Sequence, residues 1–593
     1  MAETTKNVIR GGSFLLDSGT YDDVFTPEEF TEEHRMFAKT TEDFIVNEVV
    51  PHLEQIEHHQ FDITVRLLKE AGELGLLGVD VPEKYDGLNL DKLSSALITE
   101  KFARGRGFAI SFGAHVGIGS LPIVYFGNED QRSRYLPDLA TGRRLAAYCL
   151  TEPGSGSDAL GAKTTAKLSA DGKHYVLNGE KQWITNAGFA DVFVVYAKID
   201  GEYFTAFIVE RNFPGVSFGA EEKKMGIKGS STRTVILQDV PVPVENLLGE
   251  PGKGHHIAFN ILNIGRYKLA VGAVGSAKRV LELATTYAKG RKQFKTPISN
   301  FSLIQNKLAN MAIKVYAAES SVYRTVGMFE TALSALGEKV EDGKETLKAI
   351  ADYAIECSIN KVFCSEVLDY CVDEGVQIHG GYGFMSEYEI EGLYRDSRIN
   401  RIFEGTNEIN RLLIPDMLVK KAMKGELPLM KAAMGLQEEL MIYYPSEIED
   451  APLALEKHLI DMTKKIILMV AGSALMKYQQ ALSNEQELLA LSADMLSELY
   501  AMDSVVKRTE KAIAQNGVTA AQAKLDLTVA FVSDSFDKVE AMAKEALAAM
   551  EEGDNLRMRL GILKKLTRRN PVNTIQLKRQ IAARVIEADG YVL

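Results

Sequence analysis

Between residues 146 and 250 the chain changes texture, and that change limits the folds open to it. VLNGEKQWITNAGFADVFVVYAKI, FTAFIVE and TRTVILQDV are rich in β-branched and aromatic residues, with Asn178-Gly179 reading as a turn between two β runs. Glycine and proline are dense here. On both sides the spacing is helical. TPEEFTEEHRMFAKTTEDFIVNEVV opens with a capping-box pattern at Thr26 and Glu29 and continues with apolar residues at helical intervals. KLAVGAVGSAKRVLELATTYAKGRKQF and the Ala-, Leu-, Met-, Glu- and Lys-rich stretch after 436 read the same way. The expectation is a multidomain α+β chain: a helical domain over 1–145, an all-β module over 146–250, a helical domain over 251–435 and a helical extension over 436–593.

Charge and cysteine content exclude several classes. Across 593 residues, 68 Lys and Arg face 81 Asp and Glu, a net charge of −13, which sets a dedicated nucleic-acid binder aside. The longest strongly apolar run, Ile466 to Met476, is too short for a membrane span of ~20 residues. The N-terminus shows no basic region followed by an apolar core and carries acids early, so a cytoplasmic, bacterial protein is expected. Four cysteines make no disulfide framework. Cys357, Cys364 and Cys371 recur every seven residues, ~10 Å apart along a helix, so they read as buried packing rather than as one metal site. His58-His59 and His255-His256 lie in no metal-binding pattern, and no metal is expected. No phosphate loop GxxxxGK[ST] occurs, and no GxGxxG follows a strand and opens a helix.

Five motifs stand in order along the chain: YCLTEPGSGSDA (148–159), QWITNAG with the sole tryptophan, Trp183, then RKQF (291–294), QIHGGYGF (377–384) and RIFEGTNEI (401–409). Over roughly residues 30 to 420 this set resembles the acyl-CoA dehydrogenase family. The length and helical tail resemble its very-long-chain branch most. The resemblance implies an N-terminal helical domain, a middle β-barrel and a C-terminal four-helix bundle, with FAD between barrel and bundle.

The site residues follow from the matched motifs. Tyr148, Leu150 and Thr151 would line the flavin ring, with Thr151 bonding its pyrimidine edge, where donors stabilise the charge of the reduced ring. Gly156 lies in the same cofactor-facing loop, and Ser157 would meet both cofactor and the CoA part of the substrate. Trp183, Ile184 and Thr185 would flank the flavin, with Thr185 near N5. Arg291, Gln293 and Phe294 match the segment that reaches a neighbouring subunit's FAD. An arginine suits a pyrophosphate through its permanent charge and paired donors. Gln305 matches a further contact. Gln377, Gly380 and Gly381 match a loop whose backbone approaches the ADP moiety, where a missing Cβ helps.

Glu404 of FEGT matches the base that takes the α proton of an acyl-CoA as the β hydrogen passes to flavin N5. Burial should raise its pKa and strengthen it as a base. The thioester oxygen would be polarised by the Glu404 N–H and a ribityl hydroxyl. Phe403 and Gly405 would contact substrate, and Thr406 would continue onto the FAD. Asn263 and Arg266 of LNIGR match positions that hold CoA, with Asn263 where many shorter-chain relatives have Asp. Glu408 departs from the Gln found near the adenine in many relatives.

The implied reaction is dehydrogenation of a medium- to long-chain acyl-CoA to the trans-2-enoyl-CoA in fatty-acid β-oxidation, with electrons passed to an electron-transferring flavoprotein. An acyl-CoA oxidase using O₂, or a flavin-binding scaffold, are the alternatives. Residues 557–585 carry nine bases and no acid. They read as a solvated face paired with Glu540, Glu545, Glu551, Glu552 and Asp554, or as a contact to an anionic membrane surface. The extension would also stand in for the second dimer of tetrameric relatives, leaving a homodimer.

Overall fold

The computed structural model describes residues 7–17, 19–442 and 448–592; part of the N-terminal reading, residues 1–6, lies outside them. Helices Glu32–Phe44, Phe61–Glu73, Lys92–Phe102 and Glu129–Ala140 form the N-terminal part. The capping box exists, with the Thr26 N–H donating to Glu29 Oε2 at 2.7 Å, but it closes only the turn Pro27–Glu29. The long helix starts one turn later, where Thr31 Oγ1 accepts from the His34 N–H at 3.2 Å.

Eight strands then make one sheet. Ala146–Cys149 pairs in parallel with Val192–Ile199, which pairs antiparallel with Tyr203–Glu210. Along the central strand the residues alternate by face. Phe193, Val195 and Ala197 join a core enclosed by the sheet. Val192, Val194 and Tyr196 face the helices and join the main core. A sheet buried on both faces reads as a continuous apolar run, as VFVVYA does. The ladder ends at Val216–Phe218 and Leu247–Leu248. These ends are not bonded to one another among the described residues, so the expected barrel is a sheet curled round its own core.

Asn178-Gly179 is not the hairpin turn. It lies inside the strand His174–Thr185, at a bulge opposite Thr232–Pro243. The Asn178 side chain and Asp239 bond each other across it, at 3.1 and 2.9 Å. Gly179 is required because a Cβ there would collide with Thr164.

Gly254–Gly290, Ser302–Ser334, Ala354–His379 and Asn407–Met423 form the bundle. Cys357, Cys364 and Cys371 are buried free thiols on the third of these. The extension adds Ala454–Tyr478, Gln486–Asn516, Gln522–Met550, Gly553–Leu566 and Thr574–Glu587, and shares one continuous core with the bundle. Buried charges cross the seam. Arg508 binds Glu28 at 2.8 Å and Glu319 at 2.6 Å, and Arg324 binds Asp503 at 2.8 Å.

Two expectations about the surface change. The C-terminal bases pair with different acids from those expected: Arg569 with Asp537, Lys578 with Asp534 and Arg584 with Asp526, all at 2.6–2.7 Å, and only Arg557 with the expected Asp554. Glu540 instead pairs with Lys544 one turn along its own helix. A second apolar stretch, Gly107–Phe126, is long and apolar enough to cross a bilayer, but 78% of its most apolar 18-residue window is buried within the protein. Its glycines, His115 and serines broke the run in the sequence.

Candidate active site

Glu404 sits on the turn that precedes the helix Asn407–Met423, capped by Thr406 Oγ1 accepting from the Ile409 N–H at 3.2 Å. Its φ is +58°, and that of Gly405 is +78°. A non-glycine residue held there costs of order 1 kcal/mol and needs surrounding structure to enforce it. Three side chains do so through the turn's carbonyls. Lys361 Nζ donates to Gly405 O at 2.7 Å. Asn410 Nδ2 donates to Gly405 O at 2.8 Å and to Thr406 O at 3.0 Å. Arg266 Nε reaches Glu404 O at 3.3 Å.

The carboxyl group is thereby turned into a cavity of about 210 Å³. Oε2 is buried and has no hydrogen-bond partner. Burial pushes the carboxyl up to about 7, against the pull of the Arg266 and Lys361 charges. An uncompensated carboxylate is expensive, so one kept this way is a strong candidate for proton transfer near neutral pH. Gly265 makes the space: a Cβ there would collide with the carboxylate.

The cavity lies between the N-terminal helices, the sheet and the bundle. Thr185 and Phe403 line it beside Glu404. Its far wall is the segment Gly107–Phe126, with a π-helical turn at Ala114–Gly119. Such turns often mark functional sites. His115 pins this one: Nδ1 accepts from the Ala146 N–H and Nε2–H donates to Leu139 O, both at 2.9 Å. Burial brings the imidazole down to about 4. Gly113 and Gly272 face the cavity with nothing within 4 Å of where a Cβ would stand.

The two β motifs meet each other, and QWIT reaches the cavity through Thr185. Gln182 N–H donates to Thr151 O at 2.9 Å, joining the YCLTEP loop to QWIT. Behind them Lys181 Nζ is buried on Glu152 at 2.6 Å and on Leu150 O at 3.2 Å. Tyr148, Leu150 and Ile184 are buried. A strand irregularity between Lys181 and Ile184 throws Trp183 outward, 59% exposed at φ +58°. An exposed indole held in strained backbone, two residues from the cavity-lining Thr185, fits a planar ring lying against it, as the flavin of the resemblance would.

A second, more open cavity of about 480 Å³ gathers Arg291, Gln293, Gly380 and Gly381. Arg291 lies over the Tyr382 ring at 5.5 Å, and neither glycine has anything within 4 Å of a Cβ. Phe294 projects beside it, 90% exposed. Gln377 is exposed and Gln305 bonds Ser299 O at 3.1 Å; neither lines this cavity. The two cavities share no residue. Gly156 and Ser157 are exposed on their loop, outside both.

Asn263 and Arg266, which the resemblance assigns to CoA, stand beside the Glu404 turn. Both are buried, Arg266 Nη1 donates to Asn263 Oδ1 at 2.9 Å, and the guanidinium supports the Glu404 peptide. Their helix packs its side chains inward at this level, which the motif alone did not reveal. Lys361, Gly265, Asn410 and the Gly113–Gly117 wall were not singled out from the sequence. For Lys361 a signal existed: a lone lysine in the otherwise uncharged run CSINKVFCS. Among the described residues no group of His, Cys, Asp and Glu could hold a metal ion.

Family models for the acyl-CoA dehydrogenase N-terminal, middle and C-terminal domains match residues 31–143, 147–240 and 252–418. A further model, also described as an acyl-CoA dehydrogenase C-terminal domain, matches 462–565. A probable acyl-CoA dehydrogenase of Bacillus subtilis is 64% identical over 592 residues, covering 100% of both chains.

The chain belongs to the acyl-CoA dehydrogenase family.

It is thereby an oxidoreductase that acts on acyl-CoA. A mouse very long-chain specific acyl-CoA dehydrogenase, mitochondrial, is 37% identical over 549 residues, covering 85% of this chain and 79% of its own. The crystal structure of an acyl-CoA dehydrogenase complexed with FAD from Bacillus anthracis superposes with a TM-score of 0.97 at 67% identity, covering 99% of this chain and 100% of the other.

Proposed function

We propose that this acyl-CoA dehydrogenase binds FAD and converts a medium- to long-chain acyl-CoA to its trans-2-enoyl-CoA in fatty-acid β-oxidation, with Glu404 as the base. The observation that carries this reading is the Glu404 carboxyl: buried, its Oε2 without a hydrogen-bond partner, raised to about 7 and facing the cavity that Thr185 also lines. Bound FAD supplies the acceptor for the β hydrogen. Tyr148, Leu150, Thr151, Trp183, Ile184 and Thr185 would hold its ring, and Thr406 the region beyond. The FAD in the Bacillus anthracis relative supports this cofactor. Glu404 takes the α proton, and Phe403 and the glycine-lined wall at Gly113 and Gly272 accept the acyl chain. Small residues along that wall favour long chains, because a bulky side chain would fill the space.

The second cavity, sharing nothing with the first, is read as the seat of the ADP part of a partner's FAD, held by Arg291, Gln293, Gly380 and Gly381. The enzyme is then a homodimer, and a sedimentation mass of four chains would overturn that. Electrons pass to an electron-transferring flavoprotein. Lys564, Lys565, Arg568 and Arg579 stay exposed near exposed Met558 and Ile575, and offer peripheral contact to an anionic membrane. Salt-sensitive flotation with anionic vesicles checks it.

The reading is tested by adding straight-chain acyl-CoAs from C4 to C20 to the holoenzyme without oxygen. Bleaching of the yellow flavin is expected, faster for long chains than for C4. No bleaching at any length would overturn it.

A further inference from the structure

What fixes Glu404 in place centres on a different helix from the one it precedes. The helix Ala354–His379 carries Lys361 into the bundle, where its side chain is fully buried. Nζ makes two bonds, to Gly405 O and to Asn407 Oδ1, both at 2.7 Å. Asn407 is itself held, its Nδ2 donating to Ser365 Oγ at 3.1 Å and Glu366 Oε1 at 3.0 Å. Glu366 also binds Arg411 at 2.8 Å, and Arg411 binds Asp494 of the extension at 2.7 Å. A chain of polar contacts thus runs from the extension to the peptide that follows the catalytic glutamate.

A buried ammonium is costly, and a structural tie to a carbonyl could be made by a neutral donor such as Asn410. A charge at this position does something a neutral donor does not. Burial brings the Lys361 ammonium down to about 7; Glu404, Glu408 and Glu366 favour its cation, and Arg266 opposes it, so the lysine and the Glu404 carboxyl titrate in the same range and act on one another. The charges facing the Glu404 carboxyl are Arg266 and Lys361 alone, with Tyr148 as a neutral phenol nearby. Arg266 reaches the Glu404 peptide from the helix Gly254–Gly290, and Lys361 reaches the next peptide from the opposite helix.

We propose that Lys361 is a positioning residue of the reaction: it clamps the Glu404–Gly405 turn in its left-handed conformation and, through its charge, keeps the carboxylate available as a base. This rests on Glu404 being the base. Without the lysine, burial alone acts on the carboxyl beside Arg266, so the proton is held to higher pH.

The test compares Lys361→Met, Lys361→Arg and Glu404→Gln as holoenzymes. Two quantities are read: the pH dependence of flavin reduction by an acyl-CoA, and the Glu404 carboxyl titration, followed without substrate as the infrared C=O band that Glu404→Gln lacks. In Lys361→Met both midpoints are expected to rise by about one pH unit, the lower end of what a nearby opposite charge supplies. At pH 7 the ionised fraction would then fall about fivefold. Lys361→Arg, which keeps the charge, is expected to return both midpoints toward the wild type even if its rate stays low. A Lys361→Met enzyme that loses rate with both midpoints unmoved would overturn the electrostatic part, and one with unchanged rate and midpoints would overturn the proposal entirely. A fully active Glu404→Gln would instead overturn the assignment of the base, so the two failures are distinct.

Discussion

The site and the extension obey different rules. In the extension, non-glycine residues at positive φ stand at helix ends, Leu453 and Gln479, or near the C-terminus, Asp589. Its large apolar side chains, such as Met495, Leu499 and Val505, are buried in long regular helices. Around the cavity the same backbone strain falls on Arg106, Ile227 and Glu404, which line it, and on Trp183 two residues from Thr185. There a carboxylate oxygen is left without a partner as well. Local rules are broken where chemistry needs an exposed ring or a dry base, and the surrounding regular structure offsets the cost. A change at the site that keeps the Glu404 carboxyl should therefore alter rate with little effect on stability, and a change in the extension should do the reverse.

Gly265→Ala gives the largest expected separation. The new Cβ displaces a mobile carboxylate end rather than backbone, so the melting temperature should hardly move. Misplacing the base by about 1 Å should slow anaerobic flavin reduction by roughly a hundredfold. A large fall in melting temperature with a normal rate would break the contrast. Leu499→Ala tests the other side. Leu499 is fully buried, and its truncation should cost about 2–5 kcal/mol in denaturant unfolding while the folded enzyme keeps its rate. The smallest effect is expected at Arg557→Ala, whose ion pair with Asp554 is exposed on both sides. Its loss should shift stability by no more than about 0.5 kcal/mol. A larger loss would show that this basic surface is not simply solvated.

Much of this contrast can be read from the sequence. The change to β-branched residues at 146 and back at 250 locates the sheet, because strand periodicity and composition are local properties. Trp183 and Glu404 are legible through the motifs around them. Asn178-Gly179 misleads because a turn pair and a bulge pair share the same residues. Only the proximity of Thr164 and Asp239 decides between them. The partners of the C-terminal bases are misassigned for a similar reason: which acid faces Arg569 or Lys578 depends on how two helices pack. Lys361 and Gly265 are invisible as site residues because their roles lie in what stands opposite them, a carbonyl in one case and a carboxylate in the other.

The raised Glu404 carboxyl also links chemistry to stability. Its pKa is about 7 in the fold and about 4.5 in a free chain. The native state therefore holds this proton more tightly, and stability from the group is present below pH 4.5 and lost as pH rises through 7. The loss is up to about 3 kcal/mol. Glu404→Gln removes both the base and this penalty.

The most direct measurement is therefore rapid anaerobic mixing of Glu404→Gln holoenzyme with a long-chain acyl-CoA at pH 8, beside its melting temperature at pH 5 and pH 8. Retained FAD, flavin reduction slowed by at least about a thousandfold and a stability gain over wild type that grows from pH 5 to pH 8 are expected. Flavin reduction at the wild-type rate, with the two proteins melting alike at both pH values, would contradict Glu404 as the dry, raised base of this site.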